Sequence, residues 1–373
     1  MRKPPPISQE LSLTHTRHNR TLYVALTTAL FILGLAVVVA RPPAGGDGRS
    51  SKTTSSTTTT AATTTTSATT TSTSAPFAPG SGYYGSNSPW NTPIPANPAI
   101  IPQSSTWMTA LYGDSSAIGI ATSHWTPAVW YVDSSTPRKT WYMSGGWIMD
   151  NVPTPANLAT SPDGETWTAI VDKADGLEYD FFDATKSSSS PSGWTATNGG
   201  VIRLNGSGWW DNRVGPWIGR VSGDSNLGGL ILASDAQAGV INHALGCVTP
   251  NTMDGSSAVS PATAGDPNGS SSGLPMGSHL QLDPSLDIST LGLEPGEAMV
   301  ARALQVYGCY VVDSASGFAL YAENYHFLPG GANPYPSSWA NGISKELVRR
   351  MRVVTPPPTP TYDDSSVLNQ PHK

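Results

Sequence analysis

Hydrophobic and polar positions alternate in short bursts along most of this chain, and the bursts end at Gly, Pro, Asn or Asp. Period-two runs closed by turn formers predict strands, because successive side chains of a strand point to opposite faces. The expected strands are residues 128–133, 166–172, 177–182, 227–233, 240–248, 279–282, 309–313 and 318–323. One helical pattern interrupts them at 295–307 (PGEAMVARALQVY). Pro295 opens its first turn, Glu297 sits near the positive end of the helix dipole, Arg302 follows and Gly308 stops it. No internal repeat is visible. The expected fold class is mostly β, a β-sandwich or jelly roll with one short helix, occupying residues 77–352.

Two segments ahead of that domain break the pattern. Residues 21–40 (TLYVALTTALFILGLAVVVA) form an uncharged run of 20. At the helical rise per residue this matches the roughly 30 Å of a bilayer's hydrocarbon core. The run reads as a transmembrane signal anchor behind a cytoplasmic tail at 1–20. Arg2, Lys3, Arg17 and Arg20 precede it, against Arg41, Arg49 and Lys52 after it, which points the N-terminus inward and the large domain outward. Cleavable signals have shorter apolar stretches, of about 7 to 15 residues, yet Val38-Val39-Ala40 is a small-residue cleavage site whose use would secrete the protein. Residues 41–76 read as a stalk. Between 50 and 75 they are almost wholly Ser, Thr and Ala, with one charge and no aromatic ring, so ordering them would bury too little apolar surface to offset the entropy. Such a spacer is open to O-glycosylation. Residues 353–373 are expected to be a disordered tail.

Composition narrows the function classes. Only 12% of residues are charged, while 37 Gly and 33 Pro favour turns and short strands over an all-helical fold. Residues 77–352 hold 22 acidic against 12 basic side chains, a formal charge of −10 that argues against a nucleic-acid partner. The basic residues Arg203, Arg213 and Arg220 are dispersed. Cys247 and Cys309 lie in apolar runs (HALGCV and YGCYVV), either as a disulfide pair in an oxidising compartment or as two buried thiols.

Three places could carry chemistry. The first is the hairpin ETWTAIVDKADGLEYDFF, where the loop decides the register. A two-residue loop at Asp175-Gly176 pairs Asp172 with Tyr179 and turns it away from Glu178 and Asp180. A three-residue bulged loop pairs Asp172 with Glu178 and sets Asp180 on the same face. Such a cluster could serve glycoside cleavage or hold calcium, and its bland alternative is a solvated hairpin face. The second is His243 in VINHALGCV, which alternation places on the same strand face as Ile241, Leu245 and Cys247. It is either a structural histidine or a general acid or base. The third is the polar stripe His279, Gln281 and Asp283 in GSHLQLDP, which either lines a sugar groove or faces water. Trp209-Trp210 after Asn205-Gly206 reads as an exposed loop and the best sugar-stacking platform, with Trp217, Tyr307, Tyr310 and Tyr325 as further aromatic candidates.

Missing motifs matter as well. The chain has no GxSxG elbow, HExxH zinc site, phosphate-binding glycine loop, dinucleotide fingerprint or CxxC pair. His243 stands four residues before Cys247, where the L,D-transpeptidase signature has two.

The blocks SPWNTPIP (88–95), GVINHALGCVTP (239–250), GLPMGSHLQLDPSLDI (273–288) and ALQVYGCYVVDS (303–314) together resemble a broad group of secreted bacterial β-rich proteins, largely uncharacterised and encoded beside polysaccharide-using or cell-surface genes. The resemblance implies one continuous domain. Two departures argue against an anionic substrate at these positions: Gly246 stands where the group commonly has Arg, and the segment at His279–Gln281 is less basic.

The resulting expectation is a membrane-anchored extracellular protein that cleaves a polysaccharide, as a glycoside hydrolase or lyase. His243, Asp172 and Asp180 would be catalytic, and Trp209, Trp210, His279 and Gln281 would bind substrate. The alternative is a lectin or adhesin without turnover. Expected partners are a polysaccharide or cell-surface glycan and, through residues 21–40, a lipid bilayer. No cofactor is required, and calcium is the one ion the carboxylates would suit.

Overall fold

The computed structural model describes residues 83–161, 163, 166–213, 219–364 and 366–373. The expected tail at 1–20, anchor at 21–40, stalk at 41–76 and the side chain of Trp217 lie outside these residues. The chain divides between Ala75 and Pro76, and the following concerns the unit Pro76–Lys373.

The unit is mostly β, with mixed sheets and few helices. Its strands are β1 (Gly119–Ala121), β2 (Ala128–Val132), β3 (Arg138–Met143), β4 (Ile148–Pro153), β5 (Thr168–Asp172), β6 (Leu177–Phe182), β7 (Thr185–Lys186), β8 (Trp194–Ala196), β9 (Asn198–Arg203), β10 (Leu245–Thr249), β11 (His279–Leu282), β12 (Cys309–Ser314), β13 (Ala319–Tyr321) and β14 (Met351–Val354). The α-helices among the described residues are α1 (Ser104–Asp114), α2 (Ala233–Ala238) and α3 (Pro295–Val306), where the sequence had suggested one. None is long and apolar enough to cross a membrane.

A six-stranded sheet runs β1-β13-β10-β12-β11-β14, and two four-stranded sheets run β2-β5-β6-β9 and β4-β3-β8-β7. Four strand pairs, β1 with β13, β10 with β12, β2 with β5 and β3 with β8, are parallel. The long connection between the parallel partners β1 and β13 accommodates α2 and α3, while α1 precedes β1.

The β2-β5-β6-β9 sheet is central, and its two faces serve two cores. Ile170, Leu177, Tyr179, Phe181 and Val201 pack with Trp141, Met149 and Trp194 of the outer sheet, the rings of Trp141 and Phe181 stacking 4.0 Å apart. On the opposite face Val129, Ala169, Val171 and Ile202 join the larger core shared with the six-stranded sheet. Alternation assigns Tyr131, Glu178 and Asp180 to this second face, because Tyr131 pairs with Val171 and Val171 with Glu178, while Ala169 pairs with Asp180. Helix α3 starts as its sequence predicts, with Pro295 in the first turn and Glu297 Oε2 accepting from the Glu294 amide at 3.1 Å. It ends at Gly308 (φ +70°), where a Cβ would lie 2.4 Å from the Leu280 carbonyl, so only glycine fits.

The C-terminal stretch corrects the expectation of a disordered tail. Residues 351–354 form β14, Asp363 is buried against Arg203 at 2.7 Å, Val367 enters the smaller core, and Gln370 accepts from the Val201 amide at 3.2 Å. These contacts make the last residues a strap across β9, held by specific polar groups rather than by a regular pattern.

Candidate functional site

The hairpin register decides the first candidate. Asp172 pairs with Leu177 across a four-residue loop, 173–176, so neither register considered from sequence is present. Asp172 therefore lies on the face opposite to Glu178 and Asp180. It receives Arg138 Nη2 and the amides of Ala174 and Asp175 at 3.0 and 3.2 Å, which makes it the organiser of its own turn. It is not half of an acid pair with Asp180.

Glu178 and Asp180 are fully buried and face the segment 219–228. Glu178 Oε2 accepts from the Tyr84 hydroxyl at 2.6 Å, and Oε1 from the Leu227 amide at 3.0 Å. Asp180 Oδ2 accepts from the Asn226 amide at 2.8 Å, while Oδ1 has no donor of its own. The two carboxyls contact each other, and this contact needs one shared proton. Burial first, and then the neighbouring Glu178 charge, hold the Asp180 carboxyl well above the ordinary carboxylate range; burial also raises Glu178. The Tyr84 hydroxyl is also hydrogen-bonded to Ser225. Behind this pair Arg220, itself buried, binds Asp224 Oδ2 at 2.6 Å and the Ser225 carbonyl at 3.0 Å, between the rings of Tyr321 and Trp167. The Arg220–Asp224 pair holds the segment 219–228 folded on itself, and Asn226 and Leu227 fasten it to the central sheet.

Tyr84 joins this buried pair to a second group nearer the surface. Together with Tyr83, Trp90, Leu227, Leu232 and His243 it lines a cavity of about 10 Å³, room for one water molecule. His243 Nε2 lies 3.0 Å from Asp235 Oδ2, and Nδ1 lies 2.9 Å from the Ala244 carbonyl. Burial works against a charge on His243, but the Asp235 hydrogen bond and charge, with the carbonyl, outweigh it and raise the pKa. With both nitrogens facing acceptors the ring is held as a double donor, and neither nitrogen faces an open cleft.

Next to Asp235, Glu323 Oε2 accepts from the Ala233 amide at 3.0 Å and Oε1 from the Tyr131 hydroxyl at 2.7 Å. Burial raises Glu323, and the charge of Asp235 adds to this against the hydrogen bonds that favour the carboxylate. Tyr131 stacks on Tyr83 with ring centroids 6.4 Å apart, and Lys173 Nζ lies 4.9 Å from the Tyr131 ring and 5.5 Å from the Tyr83 ring. Tyr83 is raised by burial, with Glu323, Glu178 and Asp235 all adding to the effect, so carboxylates from both groups surround this phenol.

The remaining expectations are corrected by burial. Trp209 and Trp210 are 0% and 1% exposed, and Trp209 stacks on Trp90 at 5.0 Å, so they are core rather than a sugar platform. His279 and Gln281 are also buried in β11. His279 Nε2 donates to the Tyr307 carbonyl at 2.7 Å, and burial pushes its pKa down to about 4. Gln281 bridges the Gln305 carbonyl at 2.9 Å and Arg352 at 2.8 Å. Asp283 accepts from the Ser285 amide at 2.9 Å and closes a surface turn. Cys247 and Cys309 are buried free thiols on adjacent strands. Among the described residues no group of three or more His, Cys, Asp or Glu side chains could hold a metal ion, so Asp172 and Asp180 offer no calcium donor set.

Tyr83, Tyr84, Tyr131, Lys173, Asp235 and Glu323 were not singled out from sequence. Glu323 carried a usable signal, an acid closing the apolar run FALYA, and Asp235 stands eight residues before His243. Comparison with family models, curated proteins and solved structures finds no match to the chain.

Proposed function

We propose that this unit recognises a carbohydrate outside the cytoplasm, with Tyr131 as its stacking face. The observation that carries the reading is that Tyr131 keeps 39% of its surface exposed while its hydroxyl is fixed on Glu323 and its ring on Tyr83. A rigid ring with a polar handle loses little conformational freedom on binding. A sugar would lay C–H groups on that face and direct a hydroxyl to the exposed ammonium of Lys173.

Recognition without turnover is favoured over cleavage. Asp172 and Asp180 face opposite ways, His243 has both nitrogens engaged, and the cavity beside it holds only about 10 Å³. One observation favours a polysaccharide-cleaving enzyme as the second reading: Glu323, its pKa raised by burial beside Asp235, has the character of a general acid. The accompanying scaffold is a β-sandwich formed by the central and outer sheets, supported by the Trp141–Phe181 stack. The uncharged run at 21–40 supports display on a membrane anchor, or secretion after cleavage at Ala40. The resemblance to proteins encoded at cell-surface loci supports the same outward orientation.

Screening the full chain on a glycan array, beside a Tyr131→Ala variant, tests the proposal. The expected result is selective binding by the parent and at least about a tenfold loss in the variant, as the removal of a central aromatic anchor gives, with the variant still folded though less stable by about 1–3 kcal/mol for the lost Glu323 hydrogen bond. Undiminished binding by the variant would overturn the role of Tyr131. Release of reducing-end or unsaturated products, lost in Glu323→Gln, would replace recognition with cleavage.

A further inference from the structure

A groove of about 770 Å³ lies away from the Tyr131 face, between α1 and the chain leading into β14. Its size falls within the roughly 300–1,000 Å³ of small-molecule sites. Ile100, Ile101, Pro102, Met108 and Met351 supply an apolar floor, and Arg349 and Arg352 supply cations at its side. Ile100, at the edge of this floor, is 51% exposed.

The local charge runs against that of the whole chain, which is −6. Lys345, Arg349, Arg350 and Arg352 fall within eight residues that contain one acid, Glu346. Tyr112 gathers two of these cations, with the Arg349 guanidinium 3.8 Å and the Lys345 ammonium 4.4 Å from its ring centroid, and Glu346, which accepts from the Tyr112 hydroxyl at 2.6 Å and pairs with Arg349 Nε at 3.2 Å, offsets only one of the four positive charges. The groove therefore suits an anionic ligand. Two of its hydroxyl hydrogens are committed, since Thr109 Oγ1 donates to the Ser105 carbonyl at 2.8 Å and the Tyr112 hydroxyl to Glu346 at 2.6 Å. A polyhydroxylated ligand would find few free partners along the aliphatic floor, whereas a hydrocarbon chain needs none.

We infer that this groove docks the acyl chain of an anionic phospholipid, the chain along Ile100, Met108 and Met351 and the phosphate at Arg349. The guanidinium supplies charge-assisted hydrogen bonds to phosphate, and the floor removes methylenes from water. This inference is independent of the carbohydrate proposal.

Photolabelling of the full chain tests it, using lysophosphatidylglycerol with a diazirine on its acyl chain, below its micellar concentration, with labelled residues mapped by mass spectrometry. The expected label falls on residues 100–112 and 349–352. Unlabelled lysophosphatidylglycerol should compete at least about tenfold better than an uncharged, neutral monoacylglycerol of the same chain, which lacks the phosphate, the margin of one charge-assisted contact. Ile100→Asp and Arg349→Gln should each cut labelling there by about tenfold. Both side chains are more than half exposed, so thermal unfolding should not change. Label confined to other residues, equal competition by the neutral lipid, or full labelling in both variants would overturn the proposal. Displacement by inorganic phosphate alone or by an acidic oligosaccharide at matched concentration would overturn the acyl-chain assignment.

Discussion

Replacing Asp180 with Asn tests the shared proton at the centre of the molecule. Every other acceptor of the pair is matched: Glu178 receives Tyr84 and Leu227, and Asp180 Oδ2 receives Asn226. Asp180 Oδ1 has no donor of its own, and the contact between the two carboxyls lacks a hydrogen unless an acid proton supplies it. Both folded pKa values lie above the ordinary 3.8 and 4.5. A carboxyl with a raised folded pKa keeps its proton after the unfolded chain has released it. Its contribution to stability is therefore complete below the ordinary carboxylate range and declines as pH rises toward the folded pKa. For one retained proton the decline is about 1.4 kcal/mol per pH unit. In the Asp180→Asn variant the amide provides the hydrogen at every pH, and its oxygen still accepts from Asn226. The variant should match the parent near pH 4 and gain on it steadily above that, by about 1.4 kcal/mol per unit until the folded pKa is passed. Urea unfolding followed by tryptophan fluorescence from about pH 4 to 8 would measure the gap, since m-values should not differ between the two chains. Glu323, Asp224 and Asp363 are also raised by burial, but they titrate alike in both proteins and cancel in the difference. A gap that is constant with pH, or that closes as pH rises, would refute the shared proton.

Trp209→Ala should cost about 3–5 kcal/mol of stability by emptying a buried aromatic site, with glycan binding at the Tyr131 face retained once the protein is folded; chemical denaturation and the array together distinguish core from platform. Cys247 and Cys309, both 0% exposed, should resist maleimide in buffer and label as two thiols per chain in denaturant; absence of labelling after denaturation would instead reveal a disulfide. Deleting residues 361–373 should destabilise the unit by about 2 kcal/mol or more, because the Val367 side chain leaves the smaller core and the Asp363 cap on the Arg203 amide is lost. Thermal unfolding of the truncated chain checks this, and an unchanged midpoint would contradict the strap across β9.

Local pattern served where neighbours in sequence are neighbours in space. The bounds of β6 and β11, and nearly those of α3, follow from alternation and from Pro295 and Gly308. The expected strand at 240–248 shrank to Leu245–Thr249 because 240–244 turns aside to seat His243 against Asp235 and Ala244 against the Trp90 carbonyl. Parallel pairings such as β10 with β12 join residues more than sixty apart, and nothing in either run specifies its partner. The hairpin shows how one turn governs a functional reading. Closure over four residues, with Gly176 at φ +68°, moved Asp172 to the face opposite Asp180.

Trp209 and Trp210 show the opposite difficulty, since Asn-Gly before them signals a loop and says nothing about what covers it. Glycines make that cover possible. A Cβ at Gly208 or Gly229 would come within 2.8 Å of the Trp90 or Tyr84 ring atoms, so backbone packs directly on indole and phenol there. Chemistry is therefore distributed by packing partners rather than by motif. Acids that looked accessible in sequence are neutralised inside the fold by Tyr84, Asn226 and a shared proton, or by Arg138. The groups left near solvent come from distant segments, Tyr83 from the entry to the unit, Lys173 from the hairpin loop and Tyr131 from β2, with Glu323 buried behind the Tyr131 hydroxyl. A ligand at that face would touch three separate parts of the chain at once, which is why no contiguous run of residues announced it.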